Sequence, residues 1–154
     1  MNTGTILLVE DNPGDVRLTR EALRESNAPN SLNVARDGME AMAYLRRSGC
    51  YAGAPRPELV LLDLNLPKKN GLEVLEEIKE DPNLKTSPVV VLTTSENPLD
   101  IARSYQLHAN SFVTKPPRLE HFLEVVRSLV DFWFRVAELP TQKPPKARTM
   151  AAGG

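Results

Sequence analysis

Five short apolar runs recur along the chain: TILLVE (5–10), LNVA (32–35), ELVLLD (58–63), PVVVLT (88–93) and NSFVTK (110–115). Three of them are nearly continuous Ile, Leu and Val, where a half-exposed strand would alternate apolar with polar. A strand with no polar face belongs inside a parallel sheet that is covered on both sides. The segments between the runs are of helical length and carry helical signals. Asn12-Pro13 offers an N-cap and a proline at the first helical position, ahead of Val16, Thr19, Ala22 and Leu23 on one face. Residues 38–47 place Met39, Met42, Ala43 and Leu45 in a similar pattern, and residues 72–79 repeat it with Leu72, Leu75 and Ile78. A fourth helix is expected over 99–107 and a fifth over 119–138. Strands alternating with helices imply right-handed crossovers, hence an α/β fold: a doubly wound five-stranded parallel sheet with helices on both faces.

Such sheets bind ligands at the carboxyl ends of their strands, beside the point where strand order reverses. In this chain Glu10 and Asp11 follow the first run and Asp63 ends the third; Thr93 and Thr94 finish the fourth, and Lys115 with Pro116 finishes the fifth. If the strands are parallel, three carboxylates, a hydroxyl and an ammonium converge on one edge. Three negative charges in one cleft repel, and a hard, oxygen-seeking cation such as Mg²⁺ resolves that conflict. A cation there would neutralise incoming phosphate charge, with a carboxylate as nucleophile. Lys115 would supply a point charge to a phosphoryl oxygen and Thr93 a hydroxyl donor. Each residue alone has a plainer explanation. An acidic pair after a strand often serves the following helix N-terminus, a lone Asp is often a turn residue, and Thr93-Thr94-Ser95 could simply cap the fourth helix. Their common position on successive β units makes the shared-site reading the stronger one.

In their order and spacing, ILLVEDN, LVLLDLNLPKKNG, VVVLTTS and FVTKP resemble the motifs of response-regulator receiver domains, over roughly residues 5–138. The resemblance implies a flavodoxin-like receiver fold over 4–138. It implies Asp63 as phosphoacceptor, Asp11 as direct metal ligand with Glu10 assisting, and the Asn65 backbone carbonyl as a further ligand of Mg²⁺ (or Mn²⁺). Thr93 and Lys115 match the switch hydroxyl and the phosphate-binding lysine, Phe112 the aromatic switch position, and the Lys115–Pro116 bond a cis peptide. Two stretches, VEDNPGDVRLTREAL and DFWFRVAELP, look like the small receivers that partner phytochrome-type sensor histidine kinases. The expected function is a single-domain response regulator of a two-component phosphorelay. It would accept a phosphoryl group from a histidine kinase and switch a surface on the fourth and fifth helices. His108 departs from the subgroup, which more often has a small residue there, and Pro117 adds a second proline that fits the first turn of the fifth helix.

That fifth helix carries two apolar stripes. Leu119, Phe122, Leu123, Val126, Val130 and Trp133 suit the core, while Val125, Leu129, Phe132 and Val136 form a second stripe, a candidate homodimer face. Neighbouring helices could equally cover it. Rival functions fit poorly. A haloacid-dehalogenase-type phosphatase wants a second Asp two residues after its nucleophile, where this chain has Asn65. No phosphate-cradling glycine loop occurs, and nothing in the acidic set or the lysine is missing, as it would be in a receiver that only binds partners. An enzyme acting on external substrates is therefore not expected; slow self-hydrolysis is.

Net charge of −1 draws the chain neither to nucleic acid nor to an anionic membrane. Its apolar stretches are far shorter than the ~20 residues of a membrane span. The acidic start without a basic leader and the lone Cys50, read as a loop thiol, fit the cytoplasm. Residues 139–154, rich in proline and basic side chains, read as a disordered tail.

Overall fold

The computed structural model describes residues 4–26 and 28–140. Strands β1 (Gly4–Val9), β2 (Asn30–Ala35), β3 (Leu59–Leu62), β4 (Val89–Thr93) and β5 (Ser111–Thr114) alternate with helices α1 (Pro13–Arg24), α2 (Gly38–Leu45), α3 (Gly71–Glu80), α4 (Pro98–Gln106) and α5 (Leu119–Asp131). All strand pairs are parallel, in the order β2-β1-β3-β4-β5, so the doubly wound sheet read from the apolar runs is the sheet observed. Order reverses between β1 and β3, which opens a crevice at their carboxyl ends.

The unbroken apolar runs have a simple cause. Leu7, Val9, Val60, Leu62, Val89 and Val91 pack into a core with α2 and α3, while Ile6, Leu8, Leu59, Leu61, Val90 and Leu92 pack into a second core with α1 and α5. Side chains alternate across a strand, and here both faces are covered, so every position is apolar. Asn12 caps α1 as expected, accepting from the Gly14 and Asp15 amides (2.8 and 3.1 Å) beside a proline in the first turn. Asn70 and Glu73 form a reciprocal capping box on α3.

Several local expectations are corrected. The fourth helix is capped by Asn97, whose Oδ1 accepts from Leu99 N (2.9 Å), and not by the Thr93-Thr94-Ser95 hydroxyls. On α2, Met39 faces solvent, and Ala41, Met42, Tyr44 and Leu45 are the buried set. Residues 49–57 connect α2 to β3: Gly49–Tyr51 form a 3₁₀ turn carrying the exposed Cys50, and the Tyr51 ring packs on Tyr44. Pro117 lies ahead of α5, because Arg118 takes the extended N-cap conformation and the first turn begins at Leu119.

The end of the fifth helix differs most. The α-helix stops at Asp131, and Phe132–Val136 form a π turn closed by Ala137 N donating to Phe132 O, five residues back (2.7 Å). Widening the turn rotates Phe134, which neither stripe contained, over Gly4 at the start of β1. A Cβ on Gly4 would lie 2.7 Å from that ring. Of the core stripe, Phe122, Val126 and Val130 are buried while Leu119 is half exposed. The second stripe is divided: Val125 and Leu129 lean on the α1–α5 core, whereas Phe132 and Val136 are 48% and 69% exposed. The tail expected over 139–154 lies, from residue 141 onward, outside the described residues. No helix among the described residues is long and apolar enough to cross a membrane.

Candidate functional site

β1 and β3 deliver their last side chains to the crevice together. Their register pairs Val9 with Leu62, so Glu10 and Asp63 leave the sheet side by side. One carboxylate oxygen each from Glu10, Asp11 and Asp63 lies within 4.8 Å of the others. Glu10 and Asp63 are buried and Asp11 is exposed at the mouth. A cluster of hard oxygen donors, two sunk in protein and one open to solvent, fits a Mg²⁺-like ion that keeps part of its water shell.

Lys115, on the loop after β5, reaches into the same crevice and is itself buried. Its backbone amide donates to Thr93 O (2.7 Å), which fixes the loop against β4. Its Nζ donates to Glu10 Oε1 (2.5 Å), Asp15 Oδ2 (2.8 Å) and Asp63 Oδ2 (3.1 Å). Burial pushes the ammonium's pKa down, but the hydrogen-bonded Asp15 and Glu10 carboxylates outweigh it and hold the group above the ordinary lysine range. Burial is the largest influence on Glu10 and drives its pKa up to about 7, with Lys115 pulling the other way. The crevice therefore gathers four carboxylates around one ammonium.

Backbone contacts set the acceptor loop. Asn65 N donates to Asp63 Oδ1 (3.2 Å), and Gly71 N donates to Leu64 O (2.9 Å). A Cβ at Gly71 would come within 2.3 Å of Asp63 O, so only glycine lets the start of α3 seat against that loop. A cleft of about 490 Å³ opens beside Lys115, bordered by Asp15, Thr94, Glu96 and Arg118.

Within this geometry the structure brings together Glu10, Asp11, Asp63, Asn65 and Lys115 from the set read in the sequence. Thr93 is fully buried at the end of β4, with Oγ1 accepting weakly from Ser95 N (3.4 Å). Phe112 stands apart from the carboxylates: half-buried on β5, it packs against the core on the α2–α3 side, and its amide donates to Tyr105 Oη (3.0 Å). The expected cis bond is absent, since Lys115–Pro116 is trans. Proline only narrows the preference for trans to about 0.5–1 kcal/mol, and Lys115 meets all three carboxylates from the trans geometry. Asp15 escaped the sequence reading altogether. Its signal, an acidic residue in the first turn of a helix, is the ordinary complement of a helix dipole and drew no attention.

Comparison with known proteins follows the same residues. A family model described as the response regulator receiver domain matches residues 6–127. This chain belongs to the response-regulator receiver family. The receiver is 50% identical over 135 residues to response regulator Rcp1 of Synechocystis sp., covering 88% of this chain and 92% of Rcp1. It is 41% identical over 130 residues to a probable methanogenesis regulatory protein, FilR2, of Methanothrix harundinacea, covering 83% and 82% of the two chains. Among solved structures, the phosphorylated cyanobacterial phytochrome response regulator RcpA superposes with a TM-score of 0.88 at 54% identity, over 91% of this receiver and all of RcpA. The Mn²⁺-bound form of Rcp1 superposes at 0.86 and 49% identity, over 90% and 99%. This receiver is thus a two-component response regulator, and its relatives include phytochrome response regulators.

Proposed function

We propose that Asp63 is the phosphoacceptor of this receiver, that the domain spans residues 4–138, and that its donor is a sensor histidine kinase of the phytochrome type. One observation carries the reading: Asp63 Oδ2 is held by Lys115 Nζ inside a trio of carboxylates at the strand-order reversal. Glu10, Asp11 and Asp63, with the Asn65 carbonyl, would hold Mg²⁺ or Mn²⁺, which would supply positive charge beside the incoming phosphoryl group. An Asp63 oxygen attacks phosphorus as the donor's phosphorus–nitrogen bond breaks. Lys115 keeps that oxygen aligned and then pairs with a phosphoryl oxygen; the Thr93 hydroxyl turns to donate to another. The new group adds roughly −1.5 to −2 charge. As Thr93 moves, Phe112 takes up the vacated space, and the face made by α4, β5 and α5 changes shape.

Asn65 stands where a general acid–base would be needed, so the site acts on no external substrate and undergoes only slow self-hydrolysis. With a net charge of −1, output runs through protein contacts and not nucleic acid. The histidine-kinase donor and the unpaired Cys50 favour the cytoplasm. Self-association belongs to the same proposal. A groove of about 780 Å³ runs along α5 past Val125, Leu129, Phe132 and Trp133, and a second copy of the chain would cover it together with Val136.

Intact mass after incubation with acetyl phosphate and Mg²⁺ tests the acceptor. Wild type gains one phosphoryl group; Asp63→Asn gains none, nor does wild type in chelator. A wild type that stays unlabelled, by acetyl phosphate and by kinase alike, would overturn the proposal.

A further inference from the structure

Both Glu10 and Asp63 have every oxygen engaged. Glu10 Oε1 accepts from Lys115 and Oε2 from Asn12 N (3.2 Å), while Asp63 Oδ2 accepts from Lys115 and Oδ1 from Asn65 N (3.2 Å). A divalent ion entering among these carboxylates meets an ammonium already bonded to two of them. Lys115 is 7% exposed and cannot simply turn to water. Of its three carboxylate partners, Asp15 alone lies outside the trio grouped around the candidate cation position.

Asp15 is also built as a fixed point. Its amide donates to the Asn12 cap and its carbonyl accepts from the Thr19 hydroxyl (2.8 Å), so the first turn of α1 holds the backbone still. The side chain is 28% exposed, which leaves it in contact with water and able to follow the ammonium over a short distance.

We propose that Asp15 is a positioning residue that takes over the Lys115 ammonium when a divalent cation occupies the Glu10–Asp11–Asp63 cluster, so that two positive groups share the crevice without sharing carboxylates. The inference rests on the cation-dependent reading above and extends it to a residue that reading does not use. Removing Asp15 forces Lys115 and the cation to compete for the same oxygens, at a range where like charges repel strongly. The effect of Asp15 on cation binding must therefore pass through Lys115. A carboxylate acting merely as bulk negative charge, or merely completing the α1 dipole, would act whether or not Lys115 were present.

A double-mutant cycle separates these cases. Mn²⁺ affinity is measured by the electron paramagnetic resonance signal of free Mn²⁺ for wild type, Asp15→Asn, Lys115→Met and the double variant, with thermal unfolding confirming that each is folded. The expected result is an affinity loss of about fivefold or more from Asp15→Asn in wild type, and about twofold or less in the Lys115→Met background. Asp15→Glu, which keeps the charge, restores most of the wild-type affinity and covers the case of a poorly folded Asn variant. Equal losses in both backgrounds, or none in either, would overturn the role of Asp15 and leave the cation site intact. A wild type that binds no Mn²⁺ overturns the site itself.

Discussion

Glu10 is the residue on which the electrostatics of the crevice turn. Buried beside Asp63, it holds its proton up to about pH 7, while an unfolded chain releases it near 4.5. Between those values the folded state binds more protons than the unfolded one, so metal-free stability falls as pH rises through the window. Lys115, shifted upward from its usual value, stays charged in both states there and adds no slope. Urea unfolding in chelator at pH 5 and pH 7.5 should show wild type losing on the order of 1–3 kcal/mol more than Glu10→Gln, which cannot titrate. Parallel profiles would mean that the Lys115 pairing cancels the cost of burial. The residues that crowd this cleft were legible because chemistry at a strand end is conspicuous in sequence: Glu10, Asp11, Asp63 and Lys115 each close an apolar run. Asp15 was not, because its partner lies 100 residues away and its own neighbourhood has a sufficient local explanation. The trans Lys115–Pro116 bond was beyond reach for a related reason, since proline leaves both isomers close in energy and the packing chooses.

Elements show the same division between local and distant causes. Asn12-Pro13 reads as a helix start because a side-chain oxygen and a fixed φ act within three residues. The far end of α5 could not be read this way. Its apolar spacing continues to Val136 as if the helix did, yet the backbone widens into a π turn at Phe132. What helical spacing does not record is a contact with the opposite end of the chain: the Phe134 ring rests on Gly4, where no side chain stands in the way. Gly4→Val tests that account. A Cβ 2.7 Å from the ring must displace it, at about 1–3 kcal/mol of stability, the usual cost of overpacking. Trp133, next to Phe134 and the chain's single tryptophan, reports the displacement as a red-shifted emission. Unchanged stability and emission would mean that the turn is held by other contacts, such as the edge-on stacking of Phe132 and Trp133.

At the scale of the molecule, the sheet was readable because burial on both faces leaves an unmistakable mark, an apolar run without alternation. The surface the receiver shows to partners leaves no such mark. Val125 and Leu129 share a stripe with Phe132 and Val136, but the first two lean on the core and the last two face solvent. Helical spacing cannot distinguish these destinations, because a residue at the edge of a core and one in an interface are both apolar at the same phase. On α4, only Ser104 is buried, and Leu99 and Tyr105 are exposed apolar side chains that helical spacing alone would not separate from core positions. A second copy docking on the α5 groove would cover Phe132 and Val136 at its centre, where desolvated aromatic side chains contribute most to association. Phe132→Glu with Val136→Glu places two charges in that patch without touching the crevice. Sedimentation velocity across a concentration series should show self-association weakened by at least about tenfold, which is 1.4 kcal/mol, with acetyl phosphate labelling of Asp63 unchanged. Equal weakening by two charges on an exposed stretch outside the groove, as in Asn83→Glu with Thr86→Glu, would point to general repulsion between like-charged copies. A wild type that remains monomeric at every concentration, before and after phosphorylation, would remove the second copy from the groove and leave the patch to a different protein.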